Sequence, residues 1–193
     1  MDAGAWDDRY RATDRLWSAE PNVFVADRLG SNRPGTGLDL ASGEGRNALW
    51  LAEQGWDMTA VDFSAAAIDR GRSISDEVRW VVADIRTWEP DDVYHLVVIA
   101  YLHLSLDEFE PLIRRVVTWL APGGELFMVG HHRSNIEHGV GGPQVPAVLW
   151  DVEEIVPWLD GLDILEAEVV EREVAGENGP RVALDALIRA RLV

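Results

Sequence analysis

Two kinds of hydrophobic pattern alternate along the chain. Short apolar runs bounded by turn residues predict strands, and apolar positions recurring every three or four residues predict helices. Gly37–Leu40 reads as a strand. Arg46–Gln54 carries Ala48, Leu49, Leu51 and Ala52 at helical spacing, with Gly55 as a stop. Asp57–Val61 is a second strand that ends on Asp62. Together they form a βαβ unit, for which parallel strands and a right-handed crossover are expected. Ser64 is placed to cap a helix over Ala65–Arg72, and Arg79–Val82 follows as a strand. Tyr94–Ile99 is continuously apolar, as in a strand buried on both faces. Leu106–Leu120 predicts a helix stopped by Pro122-Gly123-Gly124, and Glu125–Gly130 predicts a fifth strand. Arg133–Val148 is polar, glycine-rich and long for a connection, which points to a functional role or to mobility. Asp151 is expected to cap a helix running to Leu159. Leu162–Val174 and Arg181–Leu192 predict two long strands joined by Ala175-Gly176-Glu177-Asn178-Gly179-Pro180, a hairpin signal. Before the first strand, Ala3–Arg11 and Pro21–Leu29 predict two short helices.

The chemistry concentrates where the first strand turns into its helix. Ala41-Ser42-Gly43-Glu44-Gly45 has small residues at alternate positions, which permit a sharp turn and close approach of a ligand to the backbone. The amides opening the Arg46 helix point into that space with the positive end of the helix dipole behind them, so a carboxylate or phosphate fits there. Asp62, at the end of the next strand, can accept hydrogen bonds from both hydroxyls of a ribose. The unit reads as a nucleoside-cofactor site. Gly43-x-Gly45-x-x-Ala48 satisfies the dinucleotide fingerprint, so a nicotinamide cofactor is one candidate.

The same residues also read as Asp39-x-Ala41-x-Gly43-x-Gly45, which resembles the acidic-x-G-x-G-x-G signature of class I S-adenosylmethionine (SAM)-dependent methyltransferases. The terminal hairpin favours that family. A dehydrogenase would continue with a further parallel half or a substrate domain, and about sixty residues follow Arg133. The Leu-x-Pro-Gly-Gly at Leu120–Gly124 adds to the resemblance. So does the opening pattern of Trp6-Asp7-x-Arg9-Tyr10, then Trp17, then Glu20-Pro21-Asn22, which looks like the N-terminal arm of the small tellurite-resistance and thiopurine-type methyltransferases. The implied fold is a Rossmann-like, seven-stranded, mostly parallel sheet with helices on both faces and a C-terminal antiparallel hairpin. It implies one domain over residues 1–193, with 1–33 as a helical arm or lid and 34–193 as the sheet core. The chain departs from the pattern at Ala41, where the family usually has glycine. Alanine costs little there unless the position needs a positive φ.

Carried onto this sequence, the resemblance implies that Asp39, Ala41, Gly43, Gly45 and Arg46 surround the methionine half of SAM. Asp62 and Phe63 flank the ribose, Asp84 and Ile85 the adenine, and Ala100, Tyr101 and Trp17 complete the cofactor site. The alternative for Trp6, Tyr10 and Trp17 is that they pack the arm onto the core, for Asp84 that it is a helix cap or loop carboxylate, for Arg46 that it anchors the N-terminal lid or is a solvated first-turn arginine, and for His103 that it caps its loop. His103, His131 and His132 are candidate catalytic bases, and Tyr10 and Arg133 candidate acceptor contacts. Adjacent histidines on a strand face opposite ways, so at most one of His131 and His132 can serve.

Composition narrows the picture further. The chain has 193 residues, 47% hydrophobic and 26% charged, enough for one domain with a full core. It has no cysteine, which excludes a disulfide, a thiolate metal site and a thiol nucleophile. The net charge is −17 and all 17 basic residues are arginine, without a cluster. A nucleic-acid substrate is therefore not expected. Neither a membrane span nor a signal peptide is expected, which makes a cytoplasmic monomer or homodimer without a metal the default. The expected activity is methyl transfer from SAM to a small-molecule acceptor. The alternatives are a non-catalytic SAM-binding regulatory module and an NAD(P)-linked oxidoreductase of the same architecture.

Overall fold

Thr36–Leu40 forms strand β1, and everything in the first half of the chain is arranged around it. The structure is a computed structural model that describes residues 3–13, 16, 18–176 and 179–193. Helix α1 (Ala3–Arg11) and helix α2 (Val23–Leu29) precede β1. Asn22 caps α2 by accepting from the Phe24 and Val25 amides, so the helix begins two residues beyond Pro21. Helix α3 (Arg46–Glu53), strand β2 (Asp57–Asp62), helix α4 (Ala65–Ile74), strand β3 (Arg79–Val82) and strand β4 (Tyr94–Ala100) follow. β1 pairs in parallel with both β2 and β4, and β2 pairs in parallel with β3. Leu38, Leu40, Met58, Ala60, Val61 and Leu96–Ile99 are all fully buried. Burial of each large aliphatic side chain contributes about 1.5–3 kcal/mol.

Helix α5 (Leu106–Thr118) opens the second half and leads into strand β5 (Leu120–His131). The helix ends two residues earlier than its periodicity suggests, and extended backbone begins at Leu120, ahead of the Pro-Gly-Gly. Its buried stripe of Phe109, Leu112, Ile113 and Val116 has helical spacing, and Phe109 stacks on Trp150 with ring centroids 4.9 Å apart. The Arg133–Val148 connection contains a one-turn helix, α6 (Asn135–His138), and a 3₁₀ turn at Pro146–Val148. Asp151 caps the next helix as expected, accepting from the Glu153 amide. That helix, α7 (Val152–Ile155), is short because Pro157 lacks an amide donor, and the chain continues as a 3₁₀ turn over Val156–Trp158. Strands β6 (Leu162–Val174) and β7 (Arg181–Leu192) have the bounds predicted from the pattern. β7 is antiparallel to both β5 and β6. β6 is an edge strand, and its exposed charges and the bulge between Ile164 and Glu166 discourage pairing with another chain.

The strand order is β3-β2-β1-β4-β5-β7-β6, a seven-stranded mixed sheet with the class I methyltransferase topology. The chain divides into two compact units, residues 1–100 and residues 101–193. No helix among the described residues is long and apolar enough to cross a membrane.

Candidate functional site

In the first unit the turn between β1 and α3 is built from alternating left-handed residues. Ala41, Gly43 and Gly45 have φ of 55°, 57° and 79°. The position occupied by alanine therefore does need a positive φ, and a Cβ there costs about 1–2 kcal/mol. Gly45 has a second constraint, since a Cβ on it would meet the Trp80 ring at 2.2 Å. Trp80 is a support that the periodicity does not reveal.

Two buried carboxylates hold this turn. Asp39 accepts from the Ala48 amide at 3.2 Å, in the first turn of α3. Burial pushes its carboxyl up to about 7, against the lowering effects of that amide and of Arg46. Asp62 accepts from the Gly43 amide at 2.8 Å and from the Ser64 amide at 2.9 Å. Its carboxyl is also raised, chiefly by burial, while the Ser64, Gly43 and Phe63 amides pull it down. A carboxylate offers about four lone-pair sites, so Asp62 keeps acceptor capacity beyond these amides. The acid expected to bind ligand thus also fixes the shape of the glycine turn.

The N-terminal arm is fastened to the same turn. Glu44 is paired with Arg70 and accepts from the Leu16 amide at 3.2 Å. Arg70 also donates to the Tyr10 and Thr13 carbonyls at 2.6 and 2.7 Å. Arg46 donates to the Ser18 hydroxyl at 3.1 Å, and the Asn22 amide donates to Asn47 at 2.9 Å. Asp7 reaches the start of α4, accepting from the Ser64 hydroxyl at 2.5 Å and the Ala66 amide at 3.2 Å. Tyr10 is buried in this arrangement, with the Trp6 ring 5.9 Å away. Trp17 lies outside the described residues.

The adenine candidates are differently engaged. Asp84 forms a two-pronged pair with Arg86 at 2.7–3.1 Å, and that pair, led by the Arg86 side-chain hydrogen bond, holds its carboxyl below the usual range. Its backbone carbonyl also accepts from the Thr87 and Trp88 amides, so Asp84 organises its own loop. Ile85 is buried, and Phe63 and Ala100 are half-buried.

In the second unit the histidines fall into two separate settings. His131 ends β5 and stands opposite Asp185 of β7. Its ring lies 4.7 Å from that of Tyr101 and 5.9 Å from that of His103. Tyr101 has φ of 57°, a strained conformation for a bulky residue, and its hydroxyl donates to Asp185 at 2.7 Å. Arg172 completes this group through Asp185 and the Tyr101 hydroxyl, at 2.7 and 2.9 Å. His132 lies 2.7 Å from the Ser134 hydroxyl, and burial lowers its pKa. Arg133 is paired with Asp151 and Glu154 of the α7 segment. The connection after it is pinned by Asn135, which accepts from the Leu184 amide at 2.7 Å and donates to the Gly141 carbonyl at 2.9 Å. Sequence reasoning missed Asp185, Arg172 and Asn135. A lone carboxylate within the mainly apolar stretch Val182–Ile188 is the one signal that points to Asp185.

Comparison with known proteins agrees with this geometry. Residues 38–124 match the methyltransferase domain family. A trans-aconitate 2-methyltransferase of Delftia acidovorans is 35% identical over 94 residues, which are 46% of this chain and 35% of that protein. Nodulation protein S of Rhizobium tropici is 25% identical over 161 residues, covering 75% of this chain and 68% of the other. The chain thus spans about a third of the trans-aconitate enzyme's length. TehB from Haemophilus influenzae, of the tellurite-resistance type, superposes with a TM-score of 0.76 at 20% identity, over 97% of this chain and 66% of TehB. The N-methyltransferase NodS from Bradyrhizobium japonicum, in complex with S-adenosyl-L-homocysteine, superposes with a TM-score of 0.72 at 20% identity, over 98% and 97% of the two chains. The matched methyltransferase domain, the glycine turn and the strand order all agree with the class I methyltransferase fold.

Proposed function

We propose that the protein transfers the methyl group of SAM to a small-molecule acceptor. The observation that carries the reading is the turn at Ala41–Gly45, shaped by Asp62 and anchored to α3 through Asp39. Asp62 would hold the ribose with its remaining acceptor capacity, and Gly43 and Gly45 would let the methionine half lie against the backbone. Phe63, Asp84 and Ile85 would line the adenine side, with Asp84 sharing its carboxylate between Arg86 and the base. Ala100 would complete the same set. When bound, SAM supplies a methyl group already activated on a sulfonium. The protein's own task is to align the acceptor and exclude water. The arm fastened to Glu44, Arg46 and Arg70 is suited to excluding water. The names of the relatives, which include trans-aconitate and (S)-coclaurine methyltransferases, support an acceptor of metabolite size.

Calorimetry on the full chain tests this. SAM and its demethylated product are both expected to bind, and Asp62→Ala to weaken them roughly a hundredfold, the loss of about 3 kcal/mol in charge-assisted hydrogen bonds. Wild-type affinity in that variant would show that the site is elsewhere. Binding of NAD(P)H in place of SAM would overturn the reading.

A further inference from the structure

Trp80 stands behind the turn at Ala41–Gly45, and two glycines make room for it. It lies on β3, opposite Ala60 of β2. The outer edge of its indole, atoms Cζ3 and Cη2, lies against two backbones at once. A Cβ on Gly45 would collide with that edge, and so would a Cβ on Gly71 of α4. Gly71 is an ordinary helical residue, and glycine is unfavourable in a helix interior. The ring, and not the backbone, therefore accounts for the missing side chain there. The indole is also held in place. Its Nε1 donates to the Ser75 carbonyl at 2.9 Å, and Arg72 donates to the Trp80 carbonyl at 3.5 Å. The same part of α4 meets the turn directly. A Cβ on Gly71 would lie 3.0 Å from the Glu44 carbonyl oxygen, and Arg70 pairs with the Glu44 side chain. Hydrogen bonds tie the turn to β1 and β2: Gly43 to Asp62, the Ala48 amide to Asp39, and the Ser42 amide to the Val61 carbonyl at 3.1 Å. Trp80 adds an apolar support from the side of β3 and α4.

We infer that Trp80 is a positioning residue for the cofactor: its indole edge, wedged between Gly45 and Gly71, sets where the Gly43–Gly45 backbone lies and thereby the affinity for the methionine half of SAM. This inference rests on the methyltransferase reading. The physical reason is that the turn has little packing of its own. Four of its five residues are alanine, serine or glycine, and the side chain of the fifth, Glu44, is engaged with Arg70. Glycines in left-handed conformations have wide backbone freedom, so their position is decided by what packs against them. A ligand lying on backbone amides depends on that position, because hydrogen bonds weaken steeply as distance and angle depart from their optimum. A smaller side chain at position 80 leaves a void into which the turn can relax. A larger one at position 71 pushes the same ring toward the turn, since close-packed interiors transmit such displacements. Both changes alter the cofactor turn without altering any group proposed to contact the ligand.

The test combines calorimetry of SAM binding to the full chain with nitrogen NMR of the Gly43 and Gly45 amides in the absence of SAM. In Trp80→Leu both amide resonances should move, and SAM should bind roughly tenfold more weakly. Trp80→Phe, which restores an aromatic edge, should recover part of that affinity. Gly71→Ala, compatible with the helical backbone, should weaken SAM binding by a similar factor. In the Trp80→Leu background it should add little, because the ring it displaces is gone. Trp56→Leu is the control for lost packing, since Trp56 is buried just before β2, at the opposite end of that strand from Asp62. It should lower the melting temperature and leave the affinity of the folded protein unchanged. A merely structural Trp80 would behave as Trp56 does. Wild-type affinity in folded Trp80→Leu, unmoved Gly43 and Gly45 amides, or an equal loss from Gly71→Ala in both backgrounds would overturn the inference. Should Trp80→Leu fail to fold, wild-type affinity in both Trp80→Phe and Gly71→Ala would overturn it. Absence of SAM binding by the wild type would sink the methyltransferase reading, whereas the amide resonances test the wedge without ligand.

Discussion

At the scale of single residues, the turn before α3 contains one strained residue and one that cannot be changed. Ala41 sits at φ 55° with a Cβ that this region disfavours. Ala41→Gly should therefore raise stability by about 1 kcal/mol, the relief of αL strain less the added flexibility of the unfolded chain. Gly45→Ala introduces the same strain and drives a methyl group into Trp80. It should cost about 2–4 kcal/mol, the sum of the φ penalty and overpacking. Urea unfolding of both variants checks the pair. A loss of stability in Ala41→Gly would show that the alanine methyl makes packing contacts worth more than its strain. The sequence shows the departure from the glycine pattern at this position. It does not show the dihedral angle that gives the departure its consequence.

At the scale of elements, α1 and the segment after it are held by side chains from the turn and from α4. The pairing of Glu44 with Arg70, and the two carbonyls that Arg70 also reaches, form the centre of this attachment. Glu44 is the residue between the two glycines, so the turn proposed to bind cofactor and the arm proposed to cover it share one side chain. Glu44→Gln should cost about 1–3 kcal/mol, because Arg70 keeps its carbonyl partners while losing its counter-charge. Hydrogen exchange should show faster exchange of the amides between residues 9 and 16, with α3 unaffected. SAM affinity should fall in the same variant. Unchanged protection in the arm would show that the burial of Tyr10 and the bonds of Asp7 suffice to hold it. The helices themselves follow from periodicity and caps. Their attachments pair residues that lie 25 to 60 positions apart in the chain and follow no sequence period.

At the scale of the whole molecule, the buried acids set how stability responds to pH. Asp39 has its folded pKa raised from 3.8 to about 7, and that of Asp62 is raised as well. Between about pH 4 and 7 the unfolded chain releases the Asp39 proton while the folded chain retains it, so stability falls as pH rises through that window. One such group gives a slope of at most about 1.4 kcal/mol per pH unit. Asp7, Asp84 and Asp185 act in the opposite sense, because their folded pKa values are lowered. Their contribution is present above about pH 4 and is lost only as pH falls below it. Asp39→Asn should therefore flatten the wild-type decline between pH 5 and 7 and leave the acid limb in place. Unfolding midpoints measured from pH 3 to 8 test this. A wild-type curve parallel to the variant across pH 5–7 would show that Asp39 is ionised in the folded protein.

The sequence by itself determined the strands, most of the helices and their order. Apolar periodicity follows from burial on one face of a helix or on both faces of a strand, and both are local properties. The bounds of β3, β6 and β7 and the caps at Ser64 and Asp151 could be read directly for that reason. The turn motif and Asp62 were legible because their chemistry depends on residue type and short spacing. Only the tertiary structure decided what the individual side chains do. It gave Asp62 a second task at Gly43, paired Asp84 with Arg86 and Arg133 with Glu154, and separated His131 from His132 by their partners. It also placed Asp185 opposite His131, across a strand pairing between residues more than fifty positions apart. That pairing depends on the register of β5 against β7. Register is set by which faces are buried together, and no local pattern in either strand records it.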